Sequence, residues 1–145
     1  MKVVAQNRRA LFDFEILDKV EAGIVLSGQE AKSCRAGQVS LLGSYVSFVS
    51  GFPVLKAMKI TKYAFASGLD GYDPGHDRKL LLSKHQIVKI QTASAEKGMT
   101  VVPLEVLAGK FVKVVIGIGR GRKRIDKRQR IKDREVGRRI RRGQE

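Results

Sequence analysis

Asp73, His76 and Asp77 lie together in one Gly- and Pro-containing stretch, and a histidine between two carboxylates could hold a divalent metal or act as acid and base. No second histidine or cysteine stands at ligand spacing, so the expected state is a solvated loop. His85 is expected on the surface, early in a helix. Cys34, the only cysteine, could be a nucleophile, but it sits within a short amphipathic helix with no partner implied, and a small, partly buried thiol is expected. Gly117-x-Gly-x-Gly has the look of a dinucleotide loop, yet it opens onto Arg-Lys-Arg rather than an apolar helix, which argues against one. No catalytic residue, metal site or cofactor is expected.

The basic residues recur in a more coherent way. Asn7-Arg8-Arg9 is expected to precede the first strand. Lys32 and Arg35 stand three apart on a short helix and project from one face. Arg78, Lys79 and Lys84 bracket Leu80-Leu-Leu82. Together they suggest a shared surface for a polyanion. Glu30 breaks the pattern. A lone acid on a basic face can accept from a base edge or an amino group, or it can form a salt bridge to Lys32 or Arg35, and the residues alone favour the salt bridge.

The charge concentrates at the end of the chain. The 145 residues carry a net +15, and residues 117–145 hold thirteen Lys or Arg against four acids, a net +9. Beyond Ile118 that segment has only Ile125, Ile131, Val136 and Ile140 as large apolar residues, too few to offset the entropy of ordering it alone. A tail that is disordered when free and ordered by a polyanion is expected, with counterion release as driving force. Ile131, Val136 and Ile140 fall only loosely on one side of a helix, which gives no long docking stripe. The single cysteine excludes an internal disulfide and fits a reducing cytoplasm. The first apolar stretch stops at Ala5, so no signal-peptide core is expected, and no apolar run approaches a membrane span.

The elements that must position these groups are short. Residues 13–26 read as two extended segments, 28–37 as a helix stopped by Gly37, and 44–50 with 54–60 as a hairpin around Gly51-Phe52-Pro53. Pro53 cannot donate to a ladder and belongs at a strand start or on an edge. Residues 62–77 read as a loop. Arg78-Lys-Leu-Leu-Leu82 precedes a helix opened by the Ser83/Gln86 capping-box spacing, with Ile87, Val88, Ile90 and Ala93 facing the core. Residues 99–107 and 111–118 read as a closing hairpin. This order predicts a mainly β fold with flanking helices, a small, partly open OB-type barrel over residues 1–118, with a half-open sandwich as the structural alternative and a basic tail over 119–145.

Several blocks carry more than composition: Asn7-Arg-Arg-Ala10, Glu21-Ala-Gly-Ile24, Gly28-x-Glu30-x-Lys-Ser33-x-Arg-Ala-Gly37, Asp73-Pro74, Arg78-Lys-Leu-Leu-Leu82, Val102-Pro-Leu104 and Asp126-Lys-Arg128. In this order, over essentially the whole chain, they resemble the SsrA-binding protein (small protein B) family of bacterial trans-translation. The resemblance implies an OB-fold barrel and a tail that becomes helical in the empty mRNA path. It implies as partners the tRNA-like domain of transfer-messenger RNA (tmRNA) and the stalled ribosome, at the decoding centre and mRNA channel of the small subunit. It implies a non-catalytic, cytoplasmic protein, expected to be a monomer with no membrane partner.

By position, Glu30, Leu81 and Ser83 match the family's RNA-contact cluster, supported by Asn7, Arg8, Lys32, Ser33, Arg35, Arg78, Lys79 and Lys84. The resemblance therefore moves Glu30 towards a readout role. Arg122, Lys123, Asp126, Lys127, Arg128, Ile131, Lys132 and Arg134 match the ribosome-engaging tail. Ser83 stands where the family usually has Asn or His, His76 where Arg is common, and Ile125 where an aromatic or His often precedes Asp-Lys-Arg. A basic OB-fold ribosomal or ribosome-assembly protein is the alternative that composition and fold alone leave open.

Overall fold

The computed structural model describes residues 1–48, 51–64, 68 and 71–121. The chain opens with β1 (Lys2–Gln6) and α1 (Arg8–Asp13), neither foreseen from sequence. Asn7 therefore follows a strand rather than preceding the first one. The stretch expected as two extended segments is a single long strand, β2 (Phe14–Ile24). It bends without breaking because its pairing with the last strand shifts register between Ile16 and Asp18, a bulge that absorbs one residue. Its inward side, Val20, Ala22 and Ile24, is buried.

Next comes α2 (Gly28–Arg35), started by a Ser27/Glu30 capping box. Gly37 follows at φ +78°, the left-handed geometry expected of a helix-stopping glycine. Four short strands come next: β3 (Val39–Ser40), β4 (Tyr45–Ser47), β5 (Val54–Lys56) and β6 (Lys59–Ile60). The expected hairpin exists as β4 with β5, and Pro53 stands just before β5, outside the ladder. Residues 59 and 60 turn away to pair with β3 instead. β7 (Arg78–Leu81) leads into α3 (Lys84–Ser94), capped by Ser83 with Gln86 as its partner. The closing hairpin is β8 (Met99–Ala108) and β9 (Val112–Gly121). β9 runs to Gly121, past the boundary expected at residue 118.

The antiparallel main sheet has seven strands in the order β1-β8-β9-β2-β7-β5-β4, and β3 with β6 forms a separate two-stranded ladder. The expectation of a mainly β fold with flanking helices holds. The sheet does not close into a barrel, because β1 and β4 each have one ladder neighbour. One hydrophobic core nevertheless takes side chains from both ladders: Ala22, Leu55, Ile60, Leu80, Val106 and Val114, with Cys34 from α2 and Ile90 from α3. On α3, Ile90 is buried but Val88 is 59% exposed, so the apolar side of that helix is narrower than its spacing predicts.

The glycines of residues 117–121 belong to β9 rather than to a phosphate loop. A Cβ on Gly117 would come within 2.6 Å of Leu104 Cδ1, and one on Gly119 within 2.8 Å of the Glu15 carbonyl oxygen. Close packing of β9 against β8 and β2 requires both. Pro103 lies inside β8, where a proline costs a ladder bond. It is accommodated beside a register shift between Pro103 and Glu105. Asn7 satisfies the carbonyls at this irregularity, its backbone N donating to Leu104 O (2.7 Å) and its Nδ2 to Pro103 O (2.9 Å).

Candidate RNA interface

Two elements remote in sequence, α2 and β7, are joined by a buried ion pair. Arg78 begins β7 on its inward side, 1% exposed, and Glu30 in the first turn of α2 is 3% exposed. Arg78 donates from Nε (2.9 Å) and Nη2 (2.6 Å) to Glu30 Oε2. Arg78 also donates to backbone carbonyls, from Nη1 to Met58 (2.6 Å) and His76 (3.1 Å) and from Nη2 to Pro74 (2.9 Å), and from Nη2 to the Tyr72 hydroxyl (3.2 Å). Glu30 Oε1 accepts from Ser27 N (3.1 Å), and Oε2 lies 2.9 Å from His76 Nε2. The Tyr72 hydroxyl donates to Ile60 O (2.8 Å) and lies 3.1 Å from Glu30 Oε2.

The electrostatics follow. Burial pushes the Glu30 carboxyl up, but the Ser27 N–H, Arg78 and His76 outweigh it and hold the group at about 2. The carboxylate is ionised and its lone pairs are used inside the protein. Tyr72 is pushed up by burial and by the Glu30 charge. Burial pushes the Cys34 thiol to about 11, so it is protonated at neutral pH and poorly suited to nucleophilic attack. The loop groups singled out for acid–base chemistry have separate partners. Asp73 accepts from Gly75 N (2.9 Å), Asp77 pairs with Lys56 (3.5 Å), and His76 faces Glu30. Among the described residues no group of three His, Cys, Asp or Glu could hold a metal ion.

The sequence-predicted RNA contacts divide into two sets. Asn7, Glu30, Ser33 and Arg78 are buried. Asn7 caps α1 by accepting from Ala10 N (3.2 Å), and Ser33 donates to Thr61 O (2.7 Å). All four sit inside the packing of the described fold, Glu30 and Arg78 almost completely. The partner of Glu30 is neither Lys32 nor Arg35 but Arg78. Arg8, Lys32, Arg35, Lys79, Leu81, Ser83 and Lys84 are exposed.

Lys79 and Leu81 share the outward side of β7, because strand alternation turns Arg78 and Leu80 inward. Lys32 Nζ sits 5.9 Å from the Tyr63 ring centroid. Arg35 is exposed but partly committed, donating to Gly109 O (3.0 Å) and Lys110 O (3.1 Å) at the β8–β9 turn. Ser83 Oγ accepts from Gln86 N (3.2 Å), its capping role. The tail candidates Arg122, Lys123, Asp126, Lys127, Arg128, Ile131, Lys132 and Arg134 lie outside the described residues.

Sequence reasoning missed the Tyr72–His76–Arg78 embrace of Glu30. Glu30 and Arg78 are 48 residues apart, beyond any local periodicity. One signal was available, since Ser27-Gly-Gln-Glu30 has capping-box spacing, which already assigns the Glu30 side chain to its own helix start.

The family model for "SmpB protein" matches residues 4–145. The chain belongs to the SmpB family. A Coprothermobacter proteolyticus relative named "SsrA-binding protein" is 44% identical over 98% of this chain and 96% of its own length. A Lactobacillus delbrueckii subsp. bulgaricus relative of the same name is 45% identical over 97% of this chain and 92% of its own. A solved SmpB-family structure, described as "tmRNA-SmpB: a journey to the center of the bacterial ribosome", superposes with a TM-score of 0.67 at 41% identity, over 82% of this chain and 84% of that one. The open sheet and its flanking helices are thus the SmpB architecture. Of the two readings that composition left open, the match is to the SmpB family rather than to a general basic ribosomal protein.

Proposed function

We propose that this chain binds the tRNA-like domain of tmRNA and delivers it to stalled ribosomes, where it stands in for the codon–anticodon part of a tRNA. The observation that carries the reading is the family match over residues 4–145, which spans both the folded part and the basic tail. The exposed groups around α2 and β7 suit the first task. An A-form duplex hides its bases in a deep major groove, so recognition works through shape, loops and unstacked bases. Lys32, Lys79, Leu81, Ser83 and Lys84 present cations, an apolar side chain and a hydroxyl for this, on elements locked together by Glu30 and Arg78. The buried pair positions the face without touching RNA.

The tail is assigned the second task. Its net +9 over residues 117–145 suits a phosphate-lined channel, with charge-driven affinity and little sequence preference. In this reading it is unstructured in the free protein and becomes helical only where the mRNA path is vacant. The protein acts in the cytoplasm by binding, with no chemistry of its own. None of the helices among the described residues is long and apolar enough to cross a membrane.

The test is binding of the full chain and of a 1–121 truncation, which keeps all of β9, to the tRNA-like domain and to a scrambled RNA of equal length, across salt. The truncation is expected to keep the preference while the salt slope falls. Loss of preference in both proteins overturns the reading in favour of a general RNA-binding protein.

A further inference from the structure

We propose that Phe52 is a stacking platform for an unpaired RNA base, with Lys79 as its cationic partner. The inference rests on the RNA-binding reading above and extends it to a side chain that reading does not use. Phe52 is 57% exposed, in the turn joining β4 to β5. A singly exposed ring is common on protein surfaces; what singles out Phe52 is its place beside Lys79 and Leu81, on the face of β7 to which RNA binding is assigned.

The backbone next to the ring is set by the turn and the sheet. Gly51, at φ +78°, takes a left-handed turn geometry that a side chain would strain. Leu80 N donates to the carbonyl of Pro53 (3.0 Å), and Val54 pairs with both Ser47 and Lys79, so the chain on the far side of Phe52 is stitched into the sheet. Lys79 Nζ stands 5.3 Å from the ring centroid, within the range of a cation–π contact. Lys79 shares the outward side of β7 with Leu81, itself 54% exposed, and Val25 N donates to Lys79 O (3.0 Å), which brings another exposed apolar side chain alongside.

Phe52, Lys79 and Leu81 therefore form a strip that alternates aromatic, cationic and aliphatic groups. Unpaired bases suit such a strip: the π-face stacks on the ring, and the phosphate beside it meets the ammonium. Asp77, at the foot of β7, is paired with Lys56 and so repels an incoming phosphate less. An acidic protein partner would need the cations but leave the exposed ring without a role.

The experiment compares wild type with F52A, F52L and F52W in the full chain. The probes are the tRNA-like domain of tmRNA, a fully paired RNA duplex of equal length, and an unstructured RNA strand. F52A and F52L are expected to weaken binding to the tRNA-like domain and to the strand by about ten-fold, while F52W holds it, because only a π-face stacks. Duplex binding is expected to stay unchanged in every variant. Wild-type affinity in F52L, or equal loss on strand and duplex, overturns the proposal. Equal binding of wild type to the tRNA-like domain and the duplex would instead sink the functional reading. Phe52 is then judged on the unstructured strand alone, where F52A either weakens binding and upholds the assignment or leaves it intact and ends it.

Discussion

Glu30 shows how little a residue's neighbours in sequence reveal about its job. Flanked by Lys32 and Arg35 on a basic helix, it reads as a salt-bridging surface acid or, by family position, as a reader of RNA. The fold places it at 3% exposure with both oxygens accepting from Ser27, Arg78 and His76. Removing it strands the Arg78 guanidinium without its counter-charge. Glu30→Ala is therefore expected to cost about 3–5 kcal/mol of stability, read from the urea midpoint. A surface acid would cost no more than about 0.5 kcal/mol. The acid side of the stability profile follows from the same contacts. The folded-state value is depressed from 4.5 to about 2, so the unfolded chain binds the proton first as pH falls. This contribution is complete above about 4.5 and is lost as pH falls through about 2. Glu30→Gln is expected to flatten stability across that window, and an unchanged profile would assign the acid sensitivity to other carboxylates.

At the scale of elements, the starts of α2 and α3 and the two hairpins were legible, and partners distant in sequence were not. Ser83 with Gln86 forms the box their spacing predicts, since a cap is a contact across three residues. The bulge in β2, the proline inside β8 and the pairing of β6 with β3 all depend on a distant partner. So does the meaning of Gly117-x-Gly119. By sequence these glycines resemble a nucleotide loop after a strand, but they lie within β9 and their lack of side chains serves packing. Gly119→Ala would drive a Cβ to 2.8 Å from the Glu15 carbonyl, a backbone atom that cannot rotate away. It is expected to destabilise the fold by about 1–3 kcal/mol, measured by thermal or urea unfolding. A neutral substitution would mean that β2 and β9 can separate locally at little cost.

At the scale of the whole molecule, binding and ribosome engagement are assigned to different parts of the chain, and the assignment makes them separable. Lys127 and Arg128 lie in the tail, beyond the last described strand. Lys127→Ala with Arg128→Ala is expected to change affinity for the tRNA-like domain less than two-fold at physiological salt, because that RNA is assigned to the groups around α2 and β7 and the change removes only two of the chain's 29 Lys and Arg residues. Tagging of stalled peptides in a reconstituted translation reaction is expected to fall by about ten-fold or more, as the loss of counterion-releasing contacts predicts. Equal losses in both assays would place the tail on the RNA rather than on the ribosome and undo the division.

The sequence by itself determined the family, the mainly β fold and the concentration of charge at the chain's end. These are additive or local properties: net charge, caps spanning three residues, alternation along a strand, and motifs in a fixed order. Tertiary structure decided which of the candidate residues face water. Burial depends on what packs from elsewhere in the chain, and so Glu30, Arg78, Ser33 and Asn7 moved inside. It also decided that the sheet stays open, with one ladder neighbour each for β1 and β4. Finally, it set Phe52 beside Lys79. That pair depends on β5 lying next to β7, a contact between segments no periodicity links.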